Sequence, residues 1–125
     1  MKLPILLFDP NPAAAEVLAL QLRRAGFETH TAMDGWAAVI AARAQPFAAI
    51  VVMADLADAR MRKCLHELRE AEPDACLIVI SDPPVERAWD VVRGLGGNVI
   101  MEVPFTVSDL ARRLSELPAR ARPVA

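Results

Sequence analysis

Few side chains of this sequence could carry out chemistry, and three of them follow apolar runs. Asp9 comes after LPILLF, Asp55 closes the stretch FAAIVVMAD, and Ser81 comes after CLIVI. Asp9 and Asp55 could together hold a hard cation, although one carboxylate and one loop residue make a weak Mg²⁺ site. Ser81 does not lie in a G-x-S-x-G turn and has no histidine placed to activate it. We therefore interpret it as a structural hydroxyl.

The histidines and cysteines do not form a recognisable site. His30 and His66 are isolated, and neither Cys64 nor Cys76 lies in a C-x-x-C pair or in a Cys/His cluster with zinc spacing. We expect both thiols to be reduced and packed in the protein interior, as in a reducing compartment. No metal and no cofactor are expected.

Apolar runs alternate along the chain with helical stripes, which predicts five strands and five helices. Asn11, Asp34 and Thr106 are placed to cap three of the helices. Strict alternation predicts an α/β fold, a doubly wound parallel sheet of the flavodoxin type with strand order 2-1-3-4-5. Sites in such sheets form at the carboxyl ends of the strands. The residues to inspect there are Asp9, Pro10, Met53, Asp55, Ser81 and Val103.

The length of 125 residues fits one domain. We place this domain at residues 1–118 and interpret residues 119–125 as a tail or the start of a linker. The net charge of −2 argues against nucleic-acid binding, which needs a positive patch. No apolar run approaches the roughly 20 residues that span a bilayer, and the first ten residues do not form a signal peptide. We expect a cytoplasmic protein without membrane contact.

Both tryptophans lie on predicted helices. Trp36 shares a stripe with Val39 near the start of the second helix, and we expect it in the core or half-buried. Trp89 shares a stripe with Val85 and Val92 on the fourth helix. Two interpretations of Trp89 stay open: a core side chain, or an exposed anchor for a partner, because tryptophan is enriched at interface hot spots.

Four local stretches together resemble the receiver domain of two-component response regulators. They are ILLFDPNP, FAAIVVM, LIVIS and GGNVIMEVPF, in the order and spacing of that family, and the resemblance extends from Leu3 to Leu117. It implies a phosphoryl group passed from a histidine kinase to an Asp at the end of the third strand. It also implies two acidic residues after the first strand that hold Mg²⁺, with a Ser or Thr and a Lys that contact the phosphoryl oxygens.

The chain keeps part of this pattern and departs from the rest. Asp9 keeps the first acidic position and Ser81 keeps the hydroxyl, but the second acidic position is Pro10, the acceptor position is Met53 and the lysine position is Val103. A thioether is neither a nucleophile toward phosphorus nor a ligand for Mg²⁺. The resemblance thus implies a degenerate pseudo-receiver that is not an enzyme. With fewer carboxylates to repel one another, it should be stable without Mg²⁺.

From this resemblance we expect a phosphorylation-independent protein–protein interaction module in a two-component or phosphorelay pathway. Its partner would be a histidine kinase, another regulator, an effector domain or a second copy. The expected contact face is built by the fourth helix, fifth strand and fifth helix. Two alternatives stay open: a residual phosphoacceptor using Asp55 or Asp9, and a small-molecule-sensing flavodoxin-like domain. Candidate contacts on the face are Pro83, Pro84, Trp89, Ile100 and Arg113.

Overall fold

Five parallel strands lie side by side in the computed structural model, in the order β2-β1-β3-β4-β5. The structure describes residues 2–117, so the predicted tail at 119–125 lies outside the described residues. The strands are β1 (Pro4–Phe8), β2 (Glu28–Ala32), β3 (Ala49–Ala54), β4 (Cys76–Ser81) and β5 (Val99–Glu102). The helices are α1 (Pro12–Arg24), α2 (Gly35–Ala44), α3 (Ala59–Ala71), α4 (Ala88–Gly94) and α5 (Val107–Ser115). The predicted alternation and strand order are confirmed.

Side-chain caps begin α1, α2 and α5 where the sequence predicted them. The side chain of Asn11 accepts hydrogen bonds from the first turn of α1, with Pro12 at the first helical position. Asp34 accepts from the Ala37 amide at 2.8 Å, and Thr106 accepts from the Asp109 amide at 3.0 Å. These oxygens satisfy amides that have no partner within the helix, each worth about 1 kcal/mol.

The sheet divides the interior into two apolar layers. Leu6, Ile50, Val52, Leu77 and Val79 face one layer, which the buried faces of α2, α3 and α4 complete. The alternate residues of the same strands face the other layer, beneath α1 and α5. Because successive strand side chains point to opposite faces, β1, β3 and β4 are covered on both sides. Because the strands run parallel, their carboxyl ends lie side by side at one edge of the sheet.

The exposure of both tryptophans tests the sequence predictions for α2 and α4. Trp36, expected in the core or half-buried, is 70% exposed, whereas Val39 on the same helix is buried. Trp89 of α4 is 41% exposed, so the prediction of a core side chain is wrong. None of the helices between residues 2 and 117 is long and apolar enough to cross a membrane.

Candidate functional site

The carboxyl ends of β1, β3 and β4 meet at one edge of the sheet. Phe8, the last residue of β1, pairs with Val52, so Asp9 and Met53 follow at neighbouring positions. Ser81, the last residue of β4, pairs with Ala54 at the end of β3 and with Glu102 at the end of β5. The fold therefore brings Asp9, Met53, Ser81 and Val103 to the same edge, as the sequence predicted.

Asp9 is the buried carboxylate of this edge. Its side chain is 5% exposed, and Oδ1 accepts a hydrogen bond of 2.9 Å from the Asn11 amide. The contact is local, because it joins two residues of the β1–α1 loop that Pro10 separates. Pro10 itself is exposed and offers no side-chain oxygen.

Met53 occupies the next-to-last position of β3. Its side chain is half-buried and packs against the apolar layer beneath α1 and α5. Val103 and Phe105, which follow β5, are also half-buried and pack against that layer. The side chains at the carboxyl end of β3 and after β5 thus extend the apolar core to this edge of the sheet.

The hydroxyl of Ser81 forms a hydrogen bond within the loop that follows β4. Ser81 is fully buried, and its Oγ donates to the Pro83 carbonyl at 3.0 Å. The backbone around it is also engaged, because the Asp82 amide donates to the Ala54 carbonyl at 2.9 Å. This geometry agrees with a structural hydroxyl at the end of β4.

Asp55 lies beyond the sheet edge, in the loop between β3 and α3. It is exposed, and its Oδ1 accepts from the Ala57 amide at 3.0 Å. The cap of α3 is Asp58, whose side chain accepts from the Arg60 amide at 2.8 Å. Between residues 2 and 117, no group of three or more His, Cys, Asp or Glu side chains is placed to hold a metal ion.

The five candidate contact residues do not form one cluster. Pro83 and Pro84 are exposed in the loop that leaves the carboxyl end of β4, and Trp89 is exposed on the first turn of α4. Ile100 is half-buried and packs against the layer beneath α2, α3 and α4. Arg113 is exposed on α5 and borders a cavity at the other end of the sheet.

This cavity has a volume of about 650 Å³ and lies at the amino ends of β4 and β5, where Cys76 and Val99 begin those strands. It is at the edge opposite the strand ends where a small-molecule site was expected. Sequence reasoning missed this cavity and the Arg69 side chain in its wall. Arg69 falls in a charged helix, and nothing in the pattern distinguishes it from a solvated arginine.

Both thiols are held in the neutral form by their surroundings. Burial, with the nearby carboxylates of Glu67 and Asp34, raises the pKa of Cys64 to about 11. Burial also raises the pKa of Cys76. Both cysteines are free; Cys76 is buried, as expected, whereas Cys64 is half-buried. A raised pKa makes a thiol a poor nucleophile at neutral pH, because the thiolate is the reactive form.

A curated relative shares sequence with nearly the whole chain. The probable transcriptional regulatory protein TcrX of Mycobacterium tuberculosis is 33% identical over 118 residues, which are 93% of this chain and 50% of that protein. The chain therefore spans about half the length of this relative. No family model matches the chain.

Solved structures share the fold. The receiver domain of a sensor histidine kinase from Pseudomonas aeruginosa, with a magnesium ion coordinated in its active-site cleft, is 25% identical. Its TM-score is 0.77, and the match covers 94% of this chain and 98% of that one. A CheY-like response regulator receiver domain from Methanospirillum hungatei is 16% identical with a TM-score of 0.79, and the match covers 93% of each chain.

Proposed function

We propose that this chain, which belongs to the receiver-domain family of response regulators, serves two-component signalling without accepting a phosphoryl group. Met53 carries the proposal, since it stands at the end of β3 where the family has its acceptor Asp. A thioether has no oxygen that can attack phosphorus and form an acyl phosphate. Its packing against the core supports a structural role for this strand end.

The residues at this edge do not fit Mg²⁺, the ion that the family implies. Mg²⁺ requires oxygen ligands in near-octahedral geometry and is usually held by one or two carboxylates. Asp9 is the single buried carboxylate of the edge, and its Oδ1 already accepts from the Asn11 amide. Pro10 and Met53 offer no oxygen from their side chains. We therefore expect this edge not to bind Mg²⁺.

The groups that would hold a phosphoryl product are also poorly matched. Three equatorial phosphoryl oxygens need positive charge and hydrogen-bond donors. The lysine position is Val103, whose side chain is apolar and half-buried. The Ser81 hydroxyl donates its proton to the Pro83 carbonyl, so it would have to break that bond to serve a ligand.

The signal would then pass through protein contact. Response regulator receivers act with kinases and effectors, and we propose a protein partner of that kind for the exposed side of α4. Trp89 supports this proposal, because an aromatic side chain 41% exposed beside a proline-rich loop is typical of an interface anchor. We propose no catalytic role for the chain. Any switching must come from a partner that binds two states differently.

The test is a ¹⁵N–¹H NMR titration of the chain with Mg²⁺ and beryllofluoride, a mimic of the acyl phosphate. We expect the resonances of Asp9, Asp55, Ser81 and Val103 to stay in place. Coordinated shifts of these resonances that saturate would overturn the proposal. Asp55→Asn and Asp9→Asn variants would then identify the carboxylate that responds, and acetyl phosphate with Phos-tag electrophoresis would show whether it is phosphorylated.

A further inference from the structure

The two edge strands of the sheet differ in how they avoid pairing with another chain. β5, at one edge, has four residues, and Pro104 lies just beyond it. Short strands and prolines are common ways to protect a sheet edge. β2, at the other edge, has five residues, ETHTA, with two threonines and no proline. Because threonine favours extended structure, β2 needs another form of protection.

The backbone of β2 alternates between groups that bond to β1 and groups that point to the free edge. The Glu28 amide donates to the Leu3 carbonyl at 3.0 Å, so Glu28 faces β1. In a parallel ladder a residue directs both its N–H and its C=O toward one neighbouring strand, and the next residue directs them away. His30 therefore bonds to β1 as well. Thr29 and Thr31 direct their N–H and C=O groups to the free edge.

Arg23 covers this free edge at Thr29. It lies in the last turn of α1, and its Nε and Nη2 both donate to the Thr29 carbonyl, at 3.2 and 2.7 Å. Thr29 is 5% exposed although it lies on an edge strand. Arg24, the other arginine of this turn, makes no such bond within the described chain. The attraction of cations to the carboxyl end of a helix applies to both arginines, so it does not account for the bond of Arg23.

Without this cover, the β2 edge is complementary to a second copy of itself. Antiparallel pairing about a twofold axis at His30 sets Thr29 of each copy opposite Thr31 of the other. Residues paired in this way exchange both backbone bonds, so the Thr29 carbonyl would accept from the Thr31 amide of the other copy. Because the Arg23 guanidinium already donates twice to this carbonyl, the approaching amide would have to displace it.

We propose that Arg23 protects the β2 edge and keeps two copies of this chain from pairing strand to strand. An unprotected edge presents unpaired N–H and C=O groups that can bind another strand. β2 and β5 lie at opposite edges of the sheet. The role of Arg23 is therefore separate from the contact proposed above for the α4 side, and does not depend on it.

Sedimentation velocity of Arg23→Ala over a wide range of protein concentration tests the proposal. Loss of the guanidinium uncovers the Thr29 carbonyl in both copies, so the variant should associate at concentrations at least about tenfold lower than wild type. Arg24→Ala is the matched control, because it removes the same charge from the same helical turn, and it should behave like wild type. Circular dichroism confirms that each variant is folded.

A second change tests where the two copies meet. Thr31→Pro removes an N–H that points away from β1, so the bonds between β1 and β2 remain, and proline is tolerated in edge strands. Added to Arg23→Ala, it should return the chain to the behaviour of wild type. In Arg23→Ala alone, NMR hydrogen exchange of the Thr31 amide should be slower at concentrations where the chain associates than in dilute solution.

Three outcomes would overturn the proposal. The first is a folded Arg23→Ala chain that associates no more than wild type. The second is equal association of Arg24→Ala, because the effect would then come from the lost charge. The third is association of Arg23→Ala that leaves exchange of the Thr31 amide unchanged or persists with Thr31→Pro, because the copies would then meet away from the β2 edge.

Discussion

The guanidinium group of Arg69 joins segments of the chain that are far apart in sequence. It donates to the carbonyls of Glu72, Pro73 and Ala75 where α3 leads into β4, at 2.8–3.0 Å. It also donates to the Gly96 carbonyl at 2.9 Å and to Asn98 Oδ1 at 2.6 Å, before β5. One side chain thus satisfies five acceptors at the amino ends of β4 and β5.

Removal of this guanidinium should be costly, because the carbonyls of Pro73, Ala75 and Gly96 would lose its N–H groups together. Asn98 Oδ1 and the Glu72 carbonyl would each keep a backbone amide donor. We expect Arg69→Met to lower the free energy of unfolding by about 2–4 kcal/mol, since hydrogen bonds to charged groups are the stronger ones. Urea denaturation measures the loss. Arg60→Met is the matched control: the Arg60 side chain is 95% exposed, so the change should stay within about 0.5 kcal/mol. Equal effects of the two substitutions would contradict the role assigned to Arg69.

The raised pKa of the Cys64 thiol should make the free energy of unfolding depend on pH in the alkaline range. Its pKa is about 11 in the folded chain against 9.0 for the free group. The fold favours the neutral thiol, so this contribution is complete below pH 9 and is lost as the pH rises through 11. The free energy of unfolding of wild type should therefore fall toward that of Cys64→Ala across this range. Urea titrations at a series of pH values measure the gap, and a gap that stays constant would contradict the prediction.

At the scale of elements, two glycines at the end of α4, Gly94 and Gly97, should respond in opposite ways to substitution by alanine. A Cβ at Gly97 would overlap Val92 Cγ1 and lie 3.1 Å from the Val92 carbonyl oxygen, so Gly97→Ala should cost about 1–3 kcal/mol. A Cβ at Gly94 would meet nothing within 4 Å. Gly94→Ala should stabilise by about 0.5–1 kcal/mol, because alanine is the better helix former. Thermal unfolding of both variants measures the difference, and a stable Gly97→Ala chain would place this turn in another conformation.

The sequence predicted the strands and caps well but not the orientation of two helices. The caps at Asn11, Asp34 and Thr106 depend on local hydrogen bonding and were correct. On α1 alanines surround the helix and blur its apolar face, so periodicity does not show that Val17 points outward, where it is 59% exposed. On α2 nearly every residue is apolar, so periodicity does not show which side is buried. Trp36 was placed wrongly for that reason.

The candidate site was predictable in position because parallel strands end at one edge, whichever residues they carry. The sequence therefore located Asp9, Met53 and Ser81 together. The hydrogen bonds of these residues were less predictable. Ser81 donates to the Pro83 carbonyl, and the course of the β4–α4 loop that brings this carbonyl close depends on the assembled fold. Arg69 was missed for the same physical reason, since its acceptors come together only when α3, β4 and β5 have packed.

At the scale of the whole molecule, the composition of the sheet edge should determine whether folding depends on Mg²⁺. Carboxylates held close together disfavour one another's ionisation unless a cation lies between them. Wild type has Asp9 alone in the buried part of this edge. We therefore expect its free energy of unfolding to be the same with and without Mg²⁺.

The double variant Pro10→Asp with Met53→Asp would place three carboxylates at this edge. We expect it to be about 1–3 kcal/mol less stable than wild type without metal, and to regain most of this loss in Mg²⁺, because a bound ion stabilises only the folded state. Met53→Leu, which keeps the apolar contact, should respond to Mg²⁺ no more than wild type. Urea denaturation of the three chains measures the effect. A double variant that is as stable as wild type without Mg²⁺ would contradict the prediction. It would mean that solvent screens the three carboxylates from one another, and that the fold gains no stability from having Met53 in place of an Asp.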